Sequence, residues 1–142
     1  MIDELKQYDQ LEFEQLKLLI GELTDRVELT PATLAALLDD ANSHLYVIKM
    51  DGRIVGCATL CLYHSPTGTK GTIEDVVVSS AYRGQHLGRQ LMEYVLEQAK
   101  QYAPLDIYLT SKPKRVAANN LYQSLGFKRK ETNCYSFLIG DC

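Results

Sequence analysis

Tryptophan is absent from the 142 residues, phenylalanine occurs three times and proline four. No apolar run approaches the roughly 20 residues that a membrane-spanning helix needs. Neither sign of charge dominates: 15 Lys and Arg stand against 18 Asp and Glu, a formal charge of -3. The chain therefore lacks the basic excess that draws proteins to nucleic acid or anionic lipid, and neither partner is expected. The opening Met1-Ile2-Asp3-Glu4 carries neither the basic nor the apolar stretch of an export signal, so a soluble, cytoplasmic protein is expected. Cys57, Cys61, Cys134 and Cys142 form no C-x-x-C pair and have no histidines at zinc-ligand spacing, so no metal is expected and the thiols read as free. What is present is 46% hydrophobic residues, over a length that buries one core and is short for two.

Leu16, Leu19, Ile20 and Leu23 recur at i, i+3, i+4, i+7, which predicts an amphipathic helix ending near Gly21 or just beyond, after a short strand at residues 2–7. Thr30-Pro31 is a helix start, with Leu34, Leu37 and Leu38 as its apolar stripe. Residues 45–50 and 53–63 then read as strands joined by Asp51-Gly52, a dipeptide suited to a tight hairpin. Cys57 and Cys61, four apart on that second strand, share a face as small core residues. A turn at Ser65-Pro66-Thr67-Gly68 leads to a strand at 71–78 that ends in Val76-Val77-Val78. Leu87, Leu91, Val95 and Ala99 restore helical spacing to about Tyr102, Pro104 stops it, and residues 105–110 form a further strand. Ala118, Leu121, Tyr122 and Leu125 mark a last helix stopped by Gly126, with closing strands expected at 127–130 and 135–139. The order predicts an α+β fold around a mixed sheet.

The chemistry concentrates in Tyr82-Arg83-Gly84-Gln85-His86-Leu87-Gly88-Arg89, which lies where a strand ends and a helix begins. Backbone N–H groups left unpaired at a helix start converge on one point and bind anions. Gly84 and Gly88 let the backbone approach a ligand, and Arg83 and Arg89 can add charge-assisted contacts to phosphate oxygens. Taken by itself, such a loop is equally a plain helix start with incidental glycines. The Gly-Lys-Ser or Gly-Lys-Thr ending of a Walker loop is missing, and a Rossmann turn needs a parallel sheet and three glycines in register.

With Arg83, Leu87 and Gly88 in place, the segment resembles the acyl-CoA signature of the GNAT superfamily of N-acetyltransferases, although His86 stands where that family usually has its middle glycine. Leu121-Tyr122-Gln123-Ser124-Leu125-Gly126-Phe127 is similar to the family's Leu-Tyr, three residues, Gly-Phe segment. The resemblance covers nearly the whole chain in element order. It implies a single N-acetyltransferase domain over 1–142, with a mostly antiparallel sheet of six to seven strands and about four helices, and acetyl-CoA as cosubstrate. It further implies that Val76, Val77 and Val78 pair through their backbone with the pantetheine arm. Arg83, Gly84, Gln85, His86, Leu87, Gly88 and Arg89 then hold the phosphates; Arg115 occupies the position of the family's asparagine, whose CoA contact is either lost, replaced, or taken over by Asn119 or Asn120. Tyr122 becomes the general acid toward the departing thiolate, a role for which a phenol pKa near 10 suits a thiol near 8.5. Glu74 is the candidate base toward a primary amine, with water as the alternative, and strand alternation sends Asp75 to the other face.

The acceptor is less legible. Ile73-Glu74-Asp75-Val76-Val77-Val78 followed by Tyr82-Arg83-Gly84 is similar to glucosamine-6-phosphate N-acetyltransferases, yet Asn133-Cys134-Tyr135-Ser136-Phe137 lacks the arginines those enzymes place in their last strand. A small-molecule or peptide amine is expected, with an amino sugar phosphate as the alternative. His86 and Arg115 leave open a second reading, an acyl-CoA-binding regulatory module with weak turnover. Phe137-Leu138-Ile139 suits either a core strand or the edge of a homodimer.

Overall fold

The computed structural model describes residues 1–140, so the Cys142 thiol lies outside the described residues. Two compact units divide the chain, Met1–Thr110 and Ser111–Cys142.

In the first unit, strand β1 (Ile2–Glu4) precedes helices α1 (Gln10–Leu23) and α2 (Pro31–Asp39). Both helices start on side-chain caps. Asp9 accepts from the Glu12 N–H at 2.8 Å while Glu12 accepts from the Asp9 N–H at 3.1 Å, and Thr30 accepts from the Thr33 N–H at 3.2 Å ahead of Pro31. An antiparallel meander follows: β2 (Ser43–Met50), β3 (Arg53–Ser65) and β4 (Gly68–Val78). Asp51 and Gly52 both take positive φ, 52° and 75°, which is the backbone a two-residue hairpin turn demands. Helix α3 (Leu87–Ala99) then crosses to β5 (Asp106–Tyr108), which pairs parallel with β4. The sheet order is β1-β2-β3-β4-β5.

Alternation along β2 splits the core into two layers. Leu45 and Val47 pack with Phe13, Leu16, Leu19 and Leu34 of α1 and α2, together with Ile54, Cys57 and Val77. Tyr46 points the other way, its ring meeting Tyr94 of α3 edge-on at 5.7 Å. Between Ile48 and Lys49 the β2–β3 register slips, and buried Gln15 accepts the Ile54 N–H there at 3.0 Å, so the irregularity leaves no orphan donor. Gly56 sits at the tightest crossing. A Cβ there would lie 2.8 Å from Ile48 Cγ2, 3.1 Å from the Val77 oxygen and 3.3 Å from Val78 Cγ2.

The second unit holds helix α4 (Val116–Ser124). Gly126, at φ +103°, turns the chain, and the Phe127 N–H donates to the Tyr122 oxygen at 3.0 Å.

Among the described residues, four helices and a mostly antiparallel α+β arrangement agree with expectation, but the sheet has five strands, where six to seven were expected. The difference lies at residues 127–130 and 135–139, which take up no strand. Strand propensity is realised only where a neighbour supplies ladder partners. Lys128-Arg129-Lys130 is a run of like charge, and among the described residues no backbone hydrogen bond is made by residues 128–139.

Gly56→Ala should lower stability by about 1–3 kcal/mol, because Ile48 and Val78 must move off their rotamers. Urea unfolding will show this as a lower midpoint at unchanged slope, whereas an unshifted midpoint would mean that the crossing has room.

Candidate active site

β4 is eleven residues long, but β5 accompanies it only over Lys70, Gly71 and Thr72, opposite Asp106, Ile107 and Tyr108. Beyond Thr72 the two parallel strands share no ladder, so among the described residues β4 from 73 to 78 is paired to β3 alone. A strand in that state presents a row of N–H and C=O groups to any extended ligand that lies alongside.

The same stretch is irregular on its β3 side. Glu74 stands opposite Thr59 and Val77 opposite Cys57, so three steps on β4 match two on β3, and Asp75 takes φ 53° within this bulge. The bulge changes the expected alternation: Glu74 and Val77 project toward the same row of β3, and Glu74 and Asp75 are both exposed. Buried Cys57 supports the bulge from beneath, its thiol reaching the Asp75 carbonyl at 3.9 Å. Burial pushes that thiol up to about 12, so it stays protonated and can donate. Val77 is buried, while Val76 and Val78 are half-buried.

After β4 the chain makes one 3-10 turn, Ser80–Tyr82, and then an exposed stretch, Arg83 to His86, before α3. Gly84 has φ +83° and His86, the residue before the helix, has φ 60° and ψ 23°. A left-handed conformation at this position accounts for the glycine preference noted above. Histidine tolerates it at a cost of about 1 kcal/mol. His86 offers no side-chain cap, and the first backbone bond of α3 runs from the Gln90 N–H to the His86 oxygen. The N–H groups of Leu87 and Gly88 therefore lack intrahelical acceptors and open at the positive end of a 13-residue helix. Leu87 is buried and anchors the turn. The Arg89 guanidinium binds Glu93 one turn along the helix at 3.0 Å, while Arg83 is exposed.

One residue of this region was not legible in the sequence. Glu22, in the last turn of α1, accepts the Ser80 N–H at 2.8 Å. That bond first, then the Ser80 and Ser79 hydroxyls and the Arg83 charge, hold the Glu22 carboxyl below the usual carboxylate range despite the opposing effect of desolvation. The available signal was an acidic residue at a helix C-terminus, where the helix dipole opposes it.

A match to the Acetyltransferase (GNAT) family covers residues 5–127. The chain belongs to that family. It is 33% identical over 123 residues to the glucosamine 6-phosphate N-acetyltransferase of Trypanosoma brucei brucei, covering 80% of either chain. A crystal structure of a Trypanosoma brucei acetyltransferase superposes with TM-score 0.78 at 28% identity, over 97% of this chain and 99% of the other. The Arabidopsis thaliana glucosamine-6-phosphate N-acetyltransferase shares the fold, with TM-score 0.80 at 19% identity over 98% and 99%. The protein is thus a GNAT-type N-acetyltransferase.

In the second unit of this GNAT chain, Tyr122 is buried and meets Phe127 edge-on at 6.0 Å. Desolvation raises its hydroxyl above the ordinary phenol range, against a smaller lowering by Arg115, so it holds its proton throughout the neutral range. Asn119 donates its side-chain amide to the Lys112 and Arg115 carbonyls, both at 2.9 Å, which closes the turn ahead of α4. Any contact of Asn119 with a ligand then falls to its side-chain oxygen. Lys112, Lys114 and Arg115 are exposed.

Glu22→Ala removes the acceptor for Ser80 and should speed amide exchange across residues 79–86 by about tenfold, as expected for losing one hydrogen bond to a charged group. Glu22→Gln, which keeps an acceptor oxygen, should exchange close to wild type. Equal exchange in all three proteins would show that α1 does not hold the loop.

Proposed function

We propose that this GNAT enzyme uses acetyl-CoA to acetylate a primary amine, and the observation that carries the proposal is the unpaired edge of β4 leading directly into the donor-rich start of α3. An extended chain ending in phosphates matches these two features in sequence: a strand edge for the amide-bearing arm and orphan N–H groups for the phosphates. Residues 76–78 give backbone partners to the arm. Arg83 to Gly88 give N–H groups and one exposed guanidinium to the phosphates, and Gly84 presents no side chain, with no atom within 4 Å of where a Cβ would stand. Arg89 adds positive potential while bound to Glu93.

Acetyl-CoA supplies a thioester whose acetyl group can pass to an amine by direct attack, with no acylated enzyme. For that step the chain must take a proton from the ammonium and give one to the thiolate. Glu74, exposed beside the bulge, is the candidate acceptor of the first proton, directly or through water. Tyr122, kept neutral by burial, is the candidate donor of the second. A backbone N–H of the bulge, near Val76, is suited to polarise the carbonyl because it belongs to a segment released from regular pairing.

For the acceptor, the Trypanosoma relative's glucosamine 6-phosphate favours an amine that carries an anionic group, and exposed Lys112, Lys114 and Arg115 suit such a group. The test is CoA-thiol release across a panel of amines that includes glucosamine 6-phosphate, unphosphorylated amino sugars, polyamines and peptides. Turnover of at least one primary amine is expected. CoA binding with no turnover of any amine would support a regulatory module instead. Tyr122→Phe should lower kcat by roughly 10²–10⁴ with CoA affinity unchanged, and an unchanged kcat would remove Tyr122 from proton transfer.

A further inference from the structure

The strand registers place a further group of side chains beside Glu74. On β3 and β4, Glu74 stands opposite Thr59, Thr72 opposite Cys61 and Lys70 opposite Tyr63, and β5 sets Tyr108 opposite Thr72 and Asp106 opposite Lys70. Opposed residues share a face, so Tyr63, Lys70, Thr72, Asp106 and Tyr108 continue the face that carries Glu74. In the other direction that face is core, where Cys57 and Val77 are buried with α1 and α2. Toward β5 it turns aromatic and polar: Tyr63 and Tyr108 are 44% and 38% exposed. The Tyr108 hydroxyl donates to Asp106 Oδ2 at 2.8 Å, along the same strand and face. That bond first, then the Asp106 charge, desolvation and last the neighbouring Tyr63 hold the phenol above its ordinary range, so the two rings are close neighbours.

We infer that Tyr108, fixed by Asp106, is a specificity-determining residue that selects acceptors whose amine is carried on a hydroxylated ring. This rests on Glu74 meeting the amine, as in the proposed acetyl transfer. Tyr108 lies two residues along and one strand across from Glu74, about 8 Å between Cα atoms at ordinary sheet spacings, so one small molecule spans both. The charges on this shelf favour a neutral body. Lys70 offsets Asp106, and its ammonium is engaged by the Ser65 hydroxyl at 2.9 Å and by that of Thr67, so neither a second cation nor an anion finds an unbalanced partner there. The C–H face of a saturated ring packs on the flat of a phenol, whose negative quadrupole attracts polarised C–H bonds. Ring hydroxyls have Asp106 Oδ1, the oxygen Tyr108 does not use, and the Thr72 hydroxyl as partners. A linear amine has no flat face to match and loses more chain freedom in lying along the shelf.

Acetylation of glucosamine and of its open-chain alditol tests this, because the two carry the same amine on the same carbon chain and differ in the ring. Wild type should favour the ring by about tenfold in kcat/KM, the scale of one aromatic contact. Tyr108→Leu should bring the ratio to about one through a higher KM for glucosamine, with CoA affinity unchanged. Tyr108→Phe keeps the ring face and should retain most of the preference. Equal kcat/KM for the two acceptors in wild type would overturn the inference, as would an undiminished ratio in Tyr108→Leu. Turnover of linear amines alone would overturn it and leave acetyl transfer standing, whereas turnover of no amine would remove both.

Discussion

Beyond Thr72, β4 and β5 cease to share hydrogen bonds, and the rest of the candidate site follows from that separation. Main-chain groups withdrawn from a ladder need other partners, and on β4 they face an open edge. The bulge at Asp75 belongs to the same region. It shifts the β3 register and leaves Glu74 and Asp75 exposed on a strand whose next residues are partly or fully buried. Its position is held from below by the protonated Cys57 thiol and, closer to the strand end, by the absence of a side chain at Gly56.

The loop after β4 adds a second kind of unsatisfied group. Orphan N–H donors at the start of α3 are unfavourable in isolation and favourable toward an anion, so a segment costly to leave bare is useful for binding. His86 accepts a left-handed backbone, and Glu22 fixes the preceding turn from α1. Glu22 also lies near Arg83, so the carboxylate that organises the turn tempers the field of the guanidinium expected to meet phosphate. Tyr122 is set by different physics: burial keeps its proton in place, and Gly126 and Phe127 close the turn behind it.

Local signals in the sequence were strong wherever one residue type satisfies one geometric demand. Thr30-Pro31 started α2, Asp51-Gly52 made the hairpin, and Gly126 ended α4. The loop from Tyr82 to Arg89 was recognisable because its glycines and arginines speak to an anion through elementary chemistry. Features created by long-range pairing were not recognisable. A bulge depends on the register between β3 and β4, which no residue of either strand states alone, so Glu74 and Asp75 were read by simple alternation. Glu22 gains its role from a turn 58 positions away. Residues 135–139 carry a strand's composition, yet composition does not say whether a partner strand is at hand, so the sheet was expected to be larger than it is.

The central claim is that the unpaired stretch of β4 is where the donor's extended arm binds, and amide exchange with and without saturating CoA tests it most directly. The account predicts marked slowing in the peptide covering residues 73–78 together with the 83–88 loop. Slowing confined to the loop, with β4 exchanging as fast as in the free protein, would contradict it.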